Sequence, residues 1–312
     1  MLHGLLSIKF KILLALCRHT ILFMKKSYIL LHIAVILSGF TGIFGKLISL
    51  NEGLLVWYRT FLSAIILFFL LRLTRTSSQL KIHEKINISK IGIFIGIHWV
   101  FFYASIKYSN ISIGVICYCL TSFFTAIFDP LINRKKLVFS QLIFSAITLV
   151  GISLIFHFDY AYQTGILLGV ISSAFAALYT IYNEKLVRIY DSKVINYYQM
   201  IGGTIGLSIL MPFYLNFFPA ESLLPNRKDI FYLILLSLFC TVGLYVLFAE
   251  SLKKIPAFTV NLSFNLEPIY AIILAFMFFN EGKELNGSFY LGLFFVMISV
   301  VLQTIISLRK KK

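Results

Sequence analysis

The chain has 312 residues, of which 59% are hydrophobic and only 13% are charged. Soluble domains carry roughly 25% charged and roughly 45–50% apolar residues, so this composition excludes a water-soluble fold and requires an apolar solvent. The net charge of +16 would indicate nucleic-acid binding in a soluble protein, but here the basic residues form short clusters between apolar runs. The chain is therefore predicted to lie in a lipid bilayer and to bind no nucleic acid.

Apolar runs of about twenty residues, the length with which a helix crosses a bilayer, recur along the chain. They predict an all-α membrane protein with ten transmembrane helices, at 28–48, 54–71, 91–107, 111–132, 138–156, 164–182, 194–217, 229–249, 256–279 and 286–308. The longest connection, residues 72–90, is polar and basic. The gaps between spans are too short to hold a soluble domain.

Residues 1–23 precede the first predicted span and combine an apolar core with scattered basic residues. No small-residue cleavage site follows cleanly, which argues against a signal peptide. Met24, Lys25 and Lys26 directly before a span form an ordinary start for a bacterial membrane protein. The hypothesis is that translation begins at Met24 and that residues 1–23 are an extension without function. A native chain whose mass includes Met1 would contradict it.

The distribution of Lys and Arg predicts the orientation, because these residues favour the cytoplasmic side in short loops. With the N-terminus inside, the inner segments carry nineteen of them and the outer loops carry four. An even number of spans puts both termini on the same side, in agreement with this bias. The sequence predicts a multi-pass protein of the inner (cytoplasmic) membrane with both termini in the cytoplasm.

The chain resembles itself at a shift of 146 residues, at which Ser-Ile-Lys at 105–107 falls on Ser-Leu-Lys at 251–253. Five spans in each half are an odd number, so the two halves would insert with opposite orientation. Inverted repeats are common in secondary transporters, whose binding site lies near the midplane where the repeats meet. The alternative is a chance similarity between apolar helices. The two predicted repeats are 24–157 and 164–308.

Short motifs occupy particular places in the predicted spans. A glycine-rich run fills 38–46 in span 1, and Trp-Tyr-Arg at 57–59 opens span 2. Small residues end span 3 at 104–109, and span 9 carries Leu-Glu-Pro at 266–268, followed by Asn-Glu at 280–281. In this order and spacing the chain resembles the EamA-like branch of the drug/metabolite transporter superfamily, over nearly its whole length.

The resemblance extends to two pairs of residues, His98-Trp99 in span 3 and Asp129-Pro130 in span 4, which are similar to a variant among Bacteroidetes-type members. Ser122 stands where many members have proline, so span 4 is expected to bend near Pro130 instead. The family implies ten spans in two inverted halves and proton- or gradient-coupled movement of small metabolites, often outward. Amino acids and related compounds are common cargo, but the cargo does not carry over between members.

Ionisable residues inside a span are costly and are functional candidates by default. Glu267 is the strongest, because Pro268 follows it and frees an upstream carbonyl group. A carboxylate beside such a break can bind a proton or a cation; the alternative is an ion pair across the bundle. Three further candidates for coupling or charge binding are Lys46, Arg59 and Asp129.

These three charged candidates also have structural interpretations. Lys46 and Arg59 are predicted near the outer ends of spans 1 and 2, where either could attract an anionic cargo group, pair with Glu52 or extend its charge to the interface. Asp129 is predicted near the inner end of span 4. Its alternative is a salt bridge to one of the basic residues that follow, Arg134 or Lys135.

Polar and aromatic residues in spans 3, 4, 6 and 9 are candidates for cargo binding. Asn261 and Asn265 offer donors and acceptors to a polar cargo, although interhelical hydrogen bonding explains them equally well. His98 can change charge near neutral pH and Trp99 can stack on a ligand, while packing is the alternative for the histidine. Tyr103, five residues after His98, is a less direct candidate for lining the same cavity, and interfacial anchoring is the alternative for the remaining aromatic candidates, Tyr118 and Tyr179.

These features favour a secondary transporter, which is not an enzyme, with a small-molecule substrate and a proton or cation as partner. No cofactor or metal site is predicted, and the four cysteines are interpreted as packing residues. The alternative is a multispan membrane enzyme such as a transferase, which usually clusters His, Asp or Ser at one membrane face. The six histidines here are scattered. No P-loop is present, which excludes nucleotide-driven transport within this chain.

Overall fold

The computed structural model describes residues 26–76, 79–156 and 162–279, with short stretches between 287 and 302. Within these ranges the chain forms helices and turns, and no strand. The predictions made for residues 1–23 and for the Asn-Glu pair at 280–281 lie outside the described residues.

The first part of the chain forms five helices joined by short turns. In chain order they are α1 (Lys26–Leu47), α2 (Glu52–Leu73), α3 (Ile82–Lys107), α4 (Ile111–Asn133) and α5 (Phe139–Phe156). Asparagine side chains begin two of them, because Asn51 accepts a hydrogen bond from Leu54 N and Asn110 accepts one from Ile113 N. Such caps satisfy backbone donors that a helix start leaves unpaired.

The second part of the chain forms further helices. It comprises α6 (Gln163–Leu186), α7 (Ser192–Phe217), α8 (Arg227–Leu252), α9 (Ala257–Phe264) and α10 (Glu267–Phe279). Described residues between Tyr290 and Ser299 are also helical. The predicted span 9 is thus two helices, α9 and α10, separated by Asn265 and Leu266.

Seven of the described helices are long and apolar enough to cross a membrane: α1, α2, α3, α4, α6, α7 and α8. Large apolar side chains such as Phe69, Ile209 and Phe213 are exposed on their outer surfaces. A bilayer accommodates this surface, whereas water does not. The protein is therefore a multi-pass helical membrane protein.

The polar stretch that precedes the third predicted span is shorter than the sequence indicated. Helix α3 begins at Ile82 and not near residue 91, so most of the predicted connection is helical. Glu84 makes this start stable, because its Oε2 accepts a 2.7 Å hydrogen bond from Lys81 N. Its other carboxylate oxygen accepts a bond from Tyr190 OH at 2.9 Å. Local capping thus overrides the low hydropathy of this segment.

The bend that the sequence placed near Pro130 lies elsewhere. Helix α4 consists of two pieces, Ile111–Tyr118 and Leu120–Asn133, which meet at Cys119. Pro130 lies inside the second piece, and the helix continues past it. The break at Cys119 falls 146 residues before the break at Asn265, so the irregular points of α4 and of predicted span 9 match the repeat shift.

Helix α3 packs along α6 and α7. Two glycines make its contact with α7 close: a Cβ at Gly92 would overlap the backbone of Gln199, and a Cβ at Gly202 would overlap the backbone of Ser89. The two backbones touch because neither position carries a side chain. This contact joins the first predicted repeat to the second.

Candidate functional site

A small buried cavity lies where α1, α2, α3, α4 and α8 meet the end of α9 and the start of α10. Five residues that the sequence singled out line it, namely Arg59, His98, Trp99, Tyr118 and Glu267. About 20 Å³ of it is open, which is room for about one water molecule. Its charged residues, its histidine and its serine are at most 4% exposed, Thr41 and Tyr245 are 6% and 8% exposed, and Tyr118 is partly buried. The cavity therefore lies among buried side chains.

Arg59 provides the cationic side of this cavity. Its Nε donates to Thr241 Oγ1 at 2.7 Å, its Nη1 to Tyr103 OH at 2.8 Å, and its Nη2 to the carbonyl oxygen of Cys240 at 2.8 Å. The guanidinium also lies over the Trp99 ring, 3.7 Å from the ring centroid. Within the described part of the chain Arg59 forms no ion pair, so neutral polar groups and the Trp99 and Tyr103 rings surround its charge.

Two of these partners come from an irregular turn in α8. Residues Leu238–Gly243 form a π-helix between the regular pieces Arg227–Ser237 and Leu244–Leu252. Such wider turns are rare and occur frequently at functional sites. Here the turn presents the Cys240 carbonyl group and the Thr241 hydroxyl group to the guanidinium.

Glu267 provides the anionic side. It is 3% exposed, begins α10 directly after the break at Asn265, and interacts electrostatically with Arg59. The Ser38 hydroxyl, which also lines the cavity, donates to the Val35 carbonyl oxygen at 2.7 Å.

His98 is fixed by α6. Its Nδ1 lies 3.0 Å from the Ser172 carbonyl oxygen and 2.8 Å from Ser172 Oγ, while Ser172 Oγ donates to the His98 carbonyl oxygen at 3.0 Å. A carbonyl oxygen only accepts, so Nδ1 carries the proton of a neutral imidazole. Nε2 is then the ring atom that accepts a proton or a donor from a ligand.

Aromatic rings complete the walls. Trp99 Nε1 donates to Tyr245 OH at 3.1 Å, and the two rings meet edge to face. Tyr118 packs against His98 and against Phe264. Both Trp99 with Tyr245 and Tyr118 with Phe264 are separated by 146 residues. Residues that correspond under the repeat shift thus touch each other at the cavity, as expected near an axis that relates two halves.

The other aromatic candidates lie near the cavity but not in its wall. Tyr103 is fully buried and reaches it only through its bond to Arg59. Tyr179 packs against Tyr245 and donates to Gln199 Oε1 at 3.0 Å, while Gln199 Nε2 donates to Asn183 Oδ1 at 2.9 Å. Tyr179 therefore belongs to a polar network between α6 and α7.

The two asparagines before Glu267 make interhelical hydrogen bonds. Asn261 Nδ2 donates to Thr125 Oγ1 at 2.7 Å, and Asn261 Oδ1 accepts from Thr180 Oγ1 at 3.0 Å. Asn265 Nδ2 donates to Ser122 Oγ at 3.3 Å. Both asparagines lie outside the cavity wall, between α9, α4 and α6.

The remaining charged candidates lie in different parts of the protein. The alternative that Arg59 extends its charge to the membrane interface is wrong, because its side chain is fully buried. Lys46 is exposed near the end of α1. Asp129 lies away from the cavity and pairs with Lys135 at 3.1 Å, while Asn133 also donates to it. Glu52 accepts from Tyr214 OH at 2.7 Å and does not contact Arg59.

Several residues that line the cavity or hold its lining side chains were not assigned to a site by the sequence analysis. Thr241, Cys240 and Ser38 are small residues without a charge, and their role depends on the irregular turn of α8 and on the approach of α1. Tyr245 could have been found, because the repeat shift places it on Trp99. Ser172 could not, because it acts through contact of α3 with α6.

Comparison with known proteins supplies the family. A protein named "Uncharacterized transporter" from Haemophilus influenzae is 28% identical over 272 residues, which cover 82% of this chain and 86% of that protein. An "Uncharacterized transporter" from Archaeoglobus fulgidus is 24% identical over 267 residues, covering 83% and 91%. A solved crystal structure shares the fold at a TM-score of 0.69 and 13% identity, over 92% of this chain and 99% of the other. The family model of EamA-like transporters matches the chain twice, over residues 25–157 and 163–305, and the chain therefore belongs to the EamA-like transporter family.

Proposed function

We propose that this protein is a secondary-active transporter of the inner membrane that exports small polar metabolites, amino acids or related compounds, by alternating access. One observation carries the proposal: a basic and an acidic side chain, Arg59 and Glu267, line one buried cavity within a bundle of membrane-spanning helices. Charged residues cost several kcal/mol at the centre of a bilayer, and they persist there where a substrate or ion pathway needs them.

The chemistry of the cavity fits a zwitterion. A guanidinium has five N–H donors, of which Arg59 uses three on protein partners, and its planar fork suits a carboxylate. Glu267 offers a carboxyl group to an ammonium group or to a proton. The Trp99, Tyr118 and Tyr245 rings line the space between these two charges. An amino acid is larger than the open volume, so binding requires the cavity to widen.

We further propose ten spans in two inverted halves with both termini in the cytoplasm. Support comes from the matched breaks in α4 and between α9 and α10, and from the two aromatic pairs that correspond under the 146-residue shift. An odd number of spans in each half gives the halves opposite orientation. Rocking of one half against the other would then open the cavity alternately to the two sides.

Reconstitution tests the transport activity directly. The purified chain in liposomes is offered radiolabelled amino acids and small metabolites, with and without a pH gradient. Uptake that depends on the protein and increases with the gradient supports the proposal. No flux of any compound under any gradient would count against transport.

Glu267→Gln tests the coupling role. The amide keeps the shape of the side chain but cannot exchange a proton, so gradient-driven uptake is expected to fall to the level of empty liposomes. Glu250→Gln is the matched control, because Glu250 pairs with Lys253 at 2.7 Å outside the cavity. Unchanged uptake in Glu267→Gln would refute the role of this carboxyl group.

A further inference from the structure

A polar stripe runs along α4 away from the cavity. Tyr118, Ser122, Thr125 and Asp129 follow at intervals of four, three and four residues, which places them on one face of a helix. Tyr118 lies in the cavity wall, and Asp129 lies near the other end of α4. The stripe therefore connects the cavity to an end of the bundle through a segment that is otherwise apolar.

Residues from α9, α6 and the break after α9 complete this stripe. The hydrogen bonds already described link Asn265 to Ser122, Asn261 to Thr125, and Thr180 to Asn261. All five side chains are at most 1% exposed. We call this set the polar seam; it consists of Ser122, Thr125, Thr180, Asn261 and Asn265.

The polar seam is not saturated by protein partners. Among the described residues, Asn265 Oδ1 and the adjacent Thr121 Oγ1 are buried without a hydrogen-bond partner. A buried acceptor without a partner costs about 1–3 kcal/mol, and internal water commonly provides the missing bond. Asn265 lies in the break between α9 and α10, two residues before the proposed coupling residue Glu267.

The end of the seam that lies away from the cavity is charged, and it reaches the surface of the protein. Asp129 pairs with Lys135, whose side chain is 52% exposed. Beside the seam, Ala126, Phe258 and Leu262 form a separate apolar cluster. The polar groups are thus confined to a narrow line between Asp129 and the cavity, with apolar packing at its side.

We propose that the polar seam is a water-filled path through which the coupling proton passes between Glu267 and the Asp129 end of the bundle, which is the cytoplasmic end in the proposed topology. This inference rests on the proposed function and identifies the route of that proton. When the Glu267 carboxyl group releases its proton to a water molecule on this route, a carboxylate and a hydronium ion result, and the reverse step restores the carboxyl group and the water. Several charged or titratable groups interact electrostatically with Glu267. They are Arg59, Tyr103, Tyr118, Cys119, Cys240 and Tyr245.

Radiolytic hydroxyl-radical labelling tests the hydration of the seam, because radicals formed from nearby water oxidise a thiol. Thr125→Cys is made in a full-length chain whose native cysteines are replaced, and it is labelled in proteoliposomes. Thr148→Cys is the matched control, since Thr148 is also fully buried and bonds across helices to Ser299 Oγ at 2.9 Å. We expect the thiol at 125 to be oxidised about tenfold faster than the thiol at 148. Equal rates would overturn the proposal.

Thr125→Val gives a second measurement in the native cysteine background. The Glu267 carboxyl band in the infrared spectrum is identified by its loss in Glu267→Gln, and it shifts when the proton exchanges for deuterium after transfer to D₂O. We expect Thr125→Val to slow this exchange about tenfold. Thr148→Val, the control, should leave the exchange rate unchanged. A rate unchanged by Thr125→Val would contradict the path. Hydration of the seam without flux of any cargo would refute the transport function alone, and coupled flux with a dry seam would refute the path alone.

Discussion

Arg59 shows how a single charge is accommodated inside this bundle. Its partners in the described structure are a hydroxyl group, a phenol, a carbonyl oxygen and an indole face, none of which cancels its charge. An ion pair would neutralise the guanidinium. Neutral partners orient it without cancelling its charge, which can then act at a distance on Glu267 and on a ligand.

The hydroxyl of Thr241 is the partner that can be removed most cleanly. Thr241→Val keeps the shape of the side chain but leaves Arg59 Nε without its acceptor, which costs about 1.5–3 kcal/mol for a bond to a charged group. We expect a lower thermal unfolding temperature in detergent. Thr204→Val is the control, because the Thr204 hydroxyl bonds only the Met200 carbonyl oxygen of its own helix at 2.8 Å. Equal losses in both variants would contradict a specific role of Thr241.

Sequence reasoning found the charged centre of the site but not its supports. Arg59 and Glu267 stand out because a membrane span tolerates few charges, and His98 and Trp99 because polar and amphipathic side chains are scarce there. The positions of Thr241 and Cys240 depend on a π-helical turn that no hydropathy pattern in α8 indicates. Lys46 and Asp129 have the same residue chemistry as the cavity pair, but only the folded chain separates them from it.

Among the elements, the contact between α3 and α7 is the least tolerant of change. At Gly202 a methyl group would meet the backbone of Ser89, and backbone cannot move aside as a side chain does. Gly202→Ala is therefore expected to destabilise the protein by about 1–3 kcal/mol, the usual cost of overpacking. Thermal unfolding in detergent measures it.

Gly96→Ala provides the control for that experiment on the facing helix. A Cβ at Gly96 would lie 3.6 Å from Leu207 Cδ1, an ordinary van der Waals distance. This variant should unfold within a few degrees of the unaltered protein. A Gly202→Ala protein as stable as Gly96→Ala would show that α3 and α7 can separate at little cost.

Helix boundaries were predictable only where the apolar run and the helix coincide. The start of α3 was missed because its first nine residues, 82–90, alternate between polar and apolar side chains and precede the continuous apolar run. A cap at Lys81 and Glu84 starts the helix before them. The break at Asn265 was missed for the opposite reason. The residues on both sides of it are mostly apolar, so the hydropathy pattern shows no interruption at this point. Both errors concern backbone hydrogen bonding, which the hydropathy pattern does not report.

At the scale of the whole molecule, the proposed inverted topology makes a sharp prediction about two turns. Tyr108 ends α3 and Lys254 follows α8; both are exposed, and they correspond under the 146-residue shift. In a cysteine-free chain in sealed cells, an impermeant maleimide added outside should label Tyr108→Cys but not Lys254→Cys. Permeabilised cells should give labelling of both, which serves as the control. Labelling of both from the same side would refute the inversion.

The Trp99 contact with Arg59 also has an optical consequence. The chain contains two tryptophans, and the other, Trp57, bonds Ser208 Oγ on the surface of α7 and stacks on Phe61. Replacing Trp57 with Phe leaves a single fluorophore, placed 3.7 Å beneath a cation in the cavity. Indole emission is sensitive to nearby charge, so a ligand that draws the guanidinium away would change the intensity and wavelength of this light. The protein thus carries an intrinsic reporter of binding that needs no attached dye.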